Sequence, residues 1–391
     1  MKLKAGMAAL AASLMFSGIA MADTIKVGVI GAFSGPFSLY GTGWQQAFEI
    51  YMDQHGGKIE GHDVEFIYRD LPASDPQRAR ALAQELIIRD KVQYLAGFVF
   101  TADALAVGPL AEEAKIPTIV LNAASSTNLD ASQYMLRASF TTYQAATPVA
   151  NFAADEGLKT VVTMVSDYVP GHEEEEAFAR TFEERGGKVI EKIRMPLSTT
   201  DFGPYLQRAR AANPDVIFGF LPGGPSTYAY LKTYIDTGMR DSGIRFLGTG
   251  ETQEFDLQAM GDAALGLETG FIYSAVHDSE LNKTYAADLQ RKFPGAVLSL
   301  PHTEGYDAMT MIAAMIKATG GEQDGDKAIA AVKGLEFEGL RGPLKIDADT
   351  RDLIQNIYMR RVERDEATGL LVNREFKTYE MQPDYGRKKA E

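Results

Sequence analysis

From Ile25 onward, short β-rich runs alternate with amphipathic helical stripes, and this alternation limits the chain to parallel sheets covered by helices on both faces. Residues 25–30 form a β-rich run ending in the glycine- and proline-punctuated turn Gly31-Ala32-Phe33-Ser34-Gly35-Pro36. Trp44, Ala47, Phe48 and Tyr51 then recur at i, i+3, i+4 and i+7, one face of a helix that Gly56-Gly57 stops. The unit repeats. Residues 64–68 read as a strand, Asp75-Pro76 as an N-cap and first helical residue, and Ala79, Leu82, Ala83 and Leu86 as the next stripe. Strand-like runs at 92–96 and 117–121 flank a helical stretch at 102–113. A second series has strands at 161–165, 189–193, 216–220 and 246–247, separated by helices at 174–184, 202–211 and 227–237. Helices at 306–318 and 327–332 complete the pattern, which predicts two parallel sheets in two lobes.

Upstream, Lys2 and Lys4 precede an apolar run over residues 8–19, and Ala20-Met21-Ala22 presents the small-x-small pattern that signal peptidase cuts. Residues 1–22 are therefore expected to be a signal peptide, with the mature chain starting near Asp23. The run is shorter than the about 20 residues a membrane span needs, and no cysteine follows it to carry a lipid. A soluble periplasmic product without a lipid anchor is expected. At 391 residues the chain exceeds what one core organises. The lack of cysteine excludes disulfides, thiolate metal sites and a cysteine nucleophile. A net charge of −14 repels polyanions, so no nucleic-acid partner is expected.

Ligands of parallel α/β sheets bind beyond the carboxyl ends of the strands, where helix N-termini present unpaired N–H groups. Three such junctions are polar here: Ser34-Gly35-Pro36, Phe100-Thr101 and Asn122-Ala123-Ala124-Ser125-Ser126-Thr127. Hydroxyls beside backbone donors at a helix start suit a carboxylate, although the same residues serve as ordinary N-caps. Tyr168, Tyr273, Phe98 and Phe100 stand near strand ends, where an aromatic is more often core than ligand wall. Glu173 to Glu176, beside His172, are expected to open a helix and face solvent, because consecutive helical side chains diverge and do not converge on one ion. The five histidines lack metal-ligand spacing, and no H-E-x-x-H, G-x-x-x-x-G-K-[ST] or G-x-S-x-G motif occurs. No metal, no cofactor and no enzymatic activity are expected.

Ile25-Lys26-Val27-Gly28-Val29-Ile30-Gly31-Ala32-Phe33-Ser34-Gly35-Pro36 is followed by Tyr40-Gly41, Gly97 with Thr101, the 122–127 loop and Asp167 after a strand. Gly248 to Glu251, Gly261-Asp262-Ala263-Ala264 with Gly266, and Gly342-Pro343-Leu344 complete the set. In order and spacing, over nearly the whole mature chain, these motifs resemble the periplasmic leucine/isoleucine/valine-binding proteins of ABC importers. The resemblance implies an α/β fold of two doubly wound parallel-sheet lobes joined by a three-segment hinge, the type I periplasmic binding protein architecture. The first lobe would comprise 23–138 plus 274–344 and the second 139–273 plus 345–391. A monomer closing around a small-molecule ligand and docking to ABC permease subunits is implied.

Carried over residue by residue, the resemblance puts hydroxyls for a ligand carboxylate at Thr101 and Ser126 and a backbone contact at Ala124. It makes Tyr40 a pocket tyrosine and Glu251 the second-lobe acid that holds an ammonium. A buried ammonium needs such a partner, since desolvating an ion costs several kcal/mol. Phe100, Tyr168 and Tyr273 would shape the apolar side. Two stretches depart from the family pattern: Asp167-Tyr168-Val169-Pro170-Gly171-His172 and Phe220-Leu221-Pro222-Gly223-Gly224-Pro225 put glycines where the family has bulky rings. These stretches are similar to the branch that takes up aromatic carboxylates. The expected function is capture of an amino acid, branched-chain or similar, or of a small carboxylate for an importer. An aromatic-acid-specific binding protein and a ligand sensor are the alternatives.

Overall fold

The first elements form where the apolar stripes place them. β1 (Ile25–Gly31) leads into α1 (Ser38–Gln54), on which Trp44, Ala47, Phe48 and Tyr51 are all buried. β2 (Val64–Asp70), α2 (Pro76–Ile88), β3 (Tyr94–Gly97), α3 (Thr101–Ala114), β4 (Thr118–Val120) and β5 (Met135–Arg137) follow. Asp75 starts α2 by accepting the Arg78 N–H at 3.0 Å, with Pro76 at the first helical position. The five strands make one parallel sheet in the order β2-β1-β3-β4-β5. Gly97 has φ +125°, and a Cβ there would lie 2.0 Å from the Ile30 carbonyl oxygen, so only glycine ends β3 in this way. The structure, a computed structural model, describes residues 24–387 apart from residue 367, and the signal-peptide expectation over 1–22 lies outside the described residues.

α4 (Thr142–Asp155) carries the chain into the second series: β6 (Thr160–Ser166), α5 (Val169–Glu184), β7 (Lys188–Met195), α6 (Gly203–Ala211) and β8 (Val216–Phe220). α7 (Pro225–Asp236), β9 (Arg245–Gly248), α8 (Glu254–Met260) and β10 (Glu268–Phe271) complete it. The chain then returns through α9 (Glu280–Lys292), α10 (Leu300–Thr319) and α11 (Gly325–Val332), whose apolar faces join the core around Trp44 and β1. It ends in β11 (Glu336–Gly339), β12 (Gly342–Ile346), β13 (Leu353–Arg364) and β14 (Leu371–Gln382).

The second sheet runs β11-β12-β13-β10-β9-β8-β6-β7, with β14 also on β13. Its parallel core is as expected, and antiparallel strands add to it on one side. β6 to β10 pair in parallel, whereas β10–β13, β12–β13, β11–β12 and β13–β14 are antiparallel. The late strands are joined directly, without the helical crossover that parallel pairing demands. β11 and β12 fall mostly in the segment assigned to the first lobe, yet their ladder belongs to the second sheet. Their side chains Leu344 and Ile346, with Leu340, pack into the first core. These strands thus tie the two units together.

The acid run on α5 also departs from expectation. Glu176 is exposed, but Glu174 and Glu175 are 0% and 1% exposed. Glu175 accepts Arg194 Nη2 at 2.8 Å, a buried carboxylate neutralised from the neighbouring strand. α5 has α4 against it as well as the sheet, so two adjacent helical directions are both covered.

Candidate ligand-binding cleft

The loops beyond the C-terminal ends of the parallel strands of both sheets meet at one cleft of about 620 Å³, part of it open to solvent. The first unit contributes Phe37 and Tyr40 from α1, Val99, Phe100 and Thr101 after β3, Asn122 and Ala124 after β4, and Leu300 at the start of α10. The second contributes Tyr168 and Pro170 after β6, Phe220 to Gly223 around the end of β8, Gly250 and Gln253 after β9, and Phe271 closing β10. Phe140 lies on the segment between β5 and α4.

Rings dominate the walls, and they are fixed in pairs. Phe37 meets Phe100 edge-on at 4.9 Å, Phe140 meets Phe271 edge-on at 4.8 Å, and Tyr168 lies parallel to Phe220 at 6.3 Å. A Cβ on Gly223 would come within 3.1 Å of the Tyr40 hydroxyl, so the glycine lets the second-unit backbone close down on a first-unit ring.

The polar equipment is sparse and neutral. Thr101 opens α3, a helix with no side-chain cap, and its buried hydroxyl has no hydrogen-bond partner. The Ala124 N–H also has no partner among the described residues. Together with the helix start, these donors suit an anion. The hydroxyls of Tyr40 and Tyr168 are likewise unpaired, and burial pushes both far up, so they stay protonated. Among the described residues, no lysine, arginine or histidine lines the cleft.

Of the residues singled out in the sequence, Tyr40, Phe100, Thr101, Ala124 and Tyr168 come together on this cleft. Ser126, Glu251 and Tyr273 do not. The Ser126 hydroxyl donates to Asp384 Oδ1 at 2.8 Å, and Arg387 Nε donates to its carbonyl at 3.1 Å, because the segment after β14 lies over this side of the loop. Glu251 is fully buried behind the floor, accepting the Leu221 N–H at 3.2 Å and the Thr249 N–H at 2.6 Å. Burial pushes its pKa up to about 8, so at neutral pH it is mainly a neutral acid. Tyr273 donates to Asn282 Oδ1 at 2.8 Å in the passage from β10 to α9. Phe37, Phe140, Gln253, Phe271 and Leu300 had not been foreseen. Each sits at or just beyond a strand end or helix start, the one signal that could have found them.

Two α/β units meeting around a ligand cleft at their strand ends define a two-lobed binding protein. The periplasmic binding protein family model matches residues 24–367, and the chain belongs to that family. Its members are solute-binding proteins of the leucine-binding type that serve ABC transporters, not enzymes, and the fold is the type I architecture. The chain is 45% identical over 387 residues, 98% of its own length and 99% of the relative's, to Leu/Ile/Val-binding protein homolog 6 of Brucella abortus (strain 2308). A solute-binding protein of an ABC transporter from Rhodopseudomonas palustris HaA2, solved in complex with p-hydroxybenzoic acid, superposes with TM-score 0.90 at 47% identity. The match covers 93% of this chain and 99% of that one. Another from Rhodopseudomonas palustris BisB5, in complex with 3,4-dihydroxybenzoic acid, gives TM-score 0.88 at 40% identity over the same shares.

Proposed function

We propose that this protein is the periplasmic receptor of an ABC importer and that it captures a hydroxylated aromatic carboxylate. The observation that carries this reading is the pairing of unpartnered carboxylate donors with aromatic walls in a cleft that offers no ionised acid to an ammonium. Thr101 and the Ala124 N–H would take the carboxylate, and the Phe37–Phe100, Phe140–Phe271 and Tyr168–Phe220 pairs would enclose the ring. The unpaired hydroxyls of Tyr40 and Tyr168 are the candidate partners of a ring hydroxyl. Hydroxybenzoates in two neighbours at 47% and 40% identity support the same class. The amino-acid alternative needs Glu251 to face an ammonium, and Glu251 instead faces two backbone N–H groups behind the floor.

The work is differential binding. A ligand that touches both units favours their closed arrangement, and the permease would recognise that form. The protein would act as a monomer in the periplasm after removal of residues 1–22. Titration calorimetry with 4-hydroxybenzoate, 4-hydroxyphenylglycine and L-leucine tests the ligand class. The aromatic acid should bind at least about a hundredfold more tightly than either zwitterion, the cost of an ammonium left without an ionised partner. Equal or tighter binding of the zwitterions refutes the reading.

A further inference from the structure

Arg137, the last residue of β5, is wholly buried. Its guanidinium holds two carbonyls of the loop that follows β4: Nη1 donates to Ala123 O and Nη2 to Ser125 O, the latter at 2.7 Å. Its Nε donates to Asp352 Oδ1 at 2.6 Å, just ahead of β13. The carbonyl between them, on Ala124, accepts the Thr142 N–H at 3.0 Å.

The N–H of a planar trans peptide points opposite to its C=O. The grip on Ala123 O therefore turns the Ala124 N–H away from Arg137, and Ala124 lines the cleft with that donor unpaired. The grip on Ser125 O works the same way on the next donor but one. The Ser126 N–H reaches Glu173 of α5, whose carboxylate also accepts the hydroxyls of Ser125 and Thr142 at 2.6 Å each. The loop is thus clamped between a buried cation and a carboxylate.

We propose that Arg137 is a positioning residue for carboxylate recognition, aiming the Ala124 N–H at the ligand without touching it, with Asp352 fixing the guanidinium. This rests on the reading that the ligand carboxylate sits at Thr101 and Ala124, and it assigns a role to a residue remote from the cleft walls. A merely structural arginine would affect all ligands alike.

The test is Arg137→Lys, which keeps the charge but loses the planar fork that holds two carbonyls and Asp352 together. Affinities for 4-hydroxybenzoate and for its neutral isostere 4-hydroxybenzamide are compared by calorimetry in wild type and variant. The acid should lose about tenfold or more and the amide less than about threefold, so that the preference for the acid collapses. An equal loss for both ligands, or a preference kept intact in the variant, overturns the role of Arg137 alone. A wild type with no preference for acid over amide overturns the carboxylate reading and this inference with it. If Arg137→Lys does not fold, Asp352→Asn keeps the arginine but loosens its anchor and is held to the same two criteria.

Discussion

Replacing Thr101 by valine should move stability and affinity in opposite directions. The Thr101 hydroxyl is buried and has no partner among the described residues, while its methyl group and backbone occupy the first turn of α3. A buried hydroxyl without a partner costs about 1–3 kcal/mol of desolvation. Valine has nearly the same shape and no such group, so Thr101→Val should leave the ligand-free melting temperature unchanged or raise it. With a carboxylate bound, the hydroxyl becomes a charge-assisted donor, and hydrogen bonds of that kind contribute about 1.5–3 kcal/mol. Affinity for 4-hydroxybenzoate should therefore fall by about 10- to 150-fold. Differential scanning calorimetry of ligand-free protein and isothermal titration of both proteins measure the two quantities. A melting temperature that drops while affinity stays within threefold would mean that Thr101 is a structural residue of the helix start, and the carboxylate would have to be placed elsewhere.

Two further outcomes follow from the buried groups. Burial pushes Glu251 and Glu304 up to about 8, so the folded protein holds protons that the unfolded chain releases from about pH 4.5. Their stabilisation is full below that value and is lost as pH rises toward 8, at no more than about 1.4 kcal/mol per pH unit for each group. His302, pushed down to about 4, acts with the opposite sign only below its ordinary value, so from pH 6.5 to 8 the buried glutamates set the slope, Glu174, which burial also pushes well up, adding with the same sign. The ligand-free melting temperature should decline across that window, and a flat or rising profile would refute the assignment. Gly97→Ala drives a Cβ to 2.0 Å from Ile30 O at a φ of +125°, so it should cost at least about 3 kcal/mol. A soluble variant with an unchanged thermal transition would contradict the β3 geometry.

The parallel half of the fold was legible because each of its units carries its own signal. The α1 stripe, the Asp75-Pro76 helix start and the second series from residue 160 all lie within elements of the expected type. β5, β10 and the last four strands were not legible. β5 and β10 are three and four residues long, too short for a period to show. In β13, Ile357, Tyr358 and Met359 are buried in succession: Ile357 and Met359 pack into apolar clusters on one face, while Tyr358 on the other donates to the Arg341 carbonyl at 2.7 Å and meets the His277 ring, which removes the alternation that marks a half-exposed strand.

The cleft shows the same division between local and returning chain. Phe100, Thr101 and Tyr168 closely follow strands whose ends the sequence marks, whereas Tyr40, inside α1, and the Ala124 backbone contact were expected only from the family resemblance. Ser126 stands two residues from Ala124 and has the hydroxyl a carboxylate site wants, yet Asp384 takes that hydroxyl from more than 250 residues away. Glu251 is likewise near the right strand end, but the Leu221 N–H from the neighbouring loop and its own turn at Thr249 hold it behind the floor. On the proposed reading, membership of the site turns on which donors find a partner elsewhere in the protein. Thr101 and the Ala124 N–H are left without one, and the N–H is left so because Arg137, on the far side of the loop, holds the opposing carbonyl. On that reading, a ligand bearing an anion and an aromatic ring would satisfy both those donors and the surrounding walls, whereas an ammonium would find Glu251 turned to backbone N–H groups behind the floor.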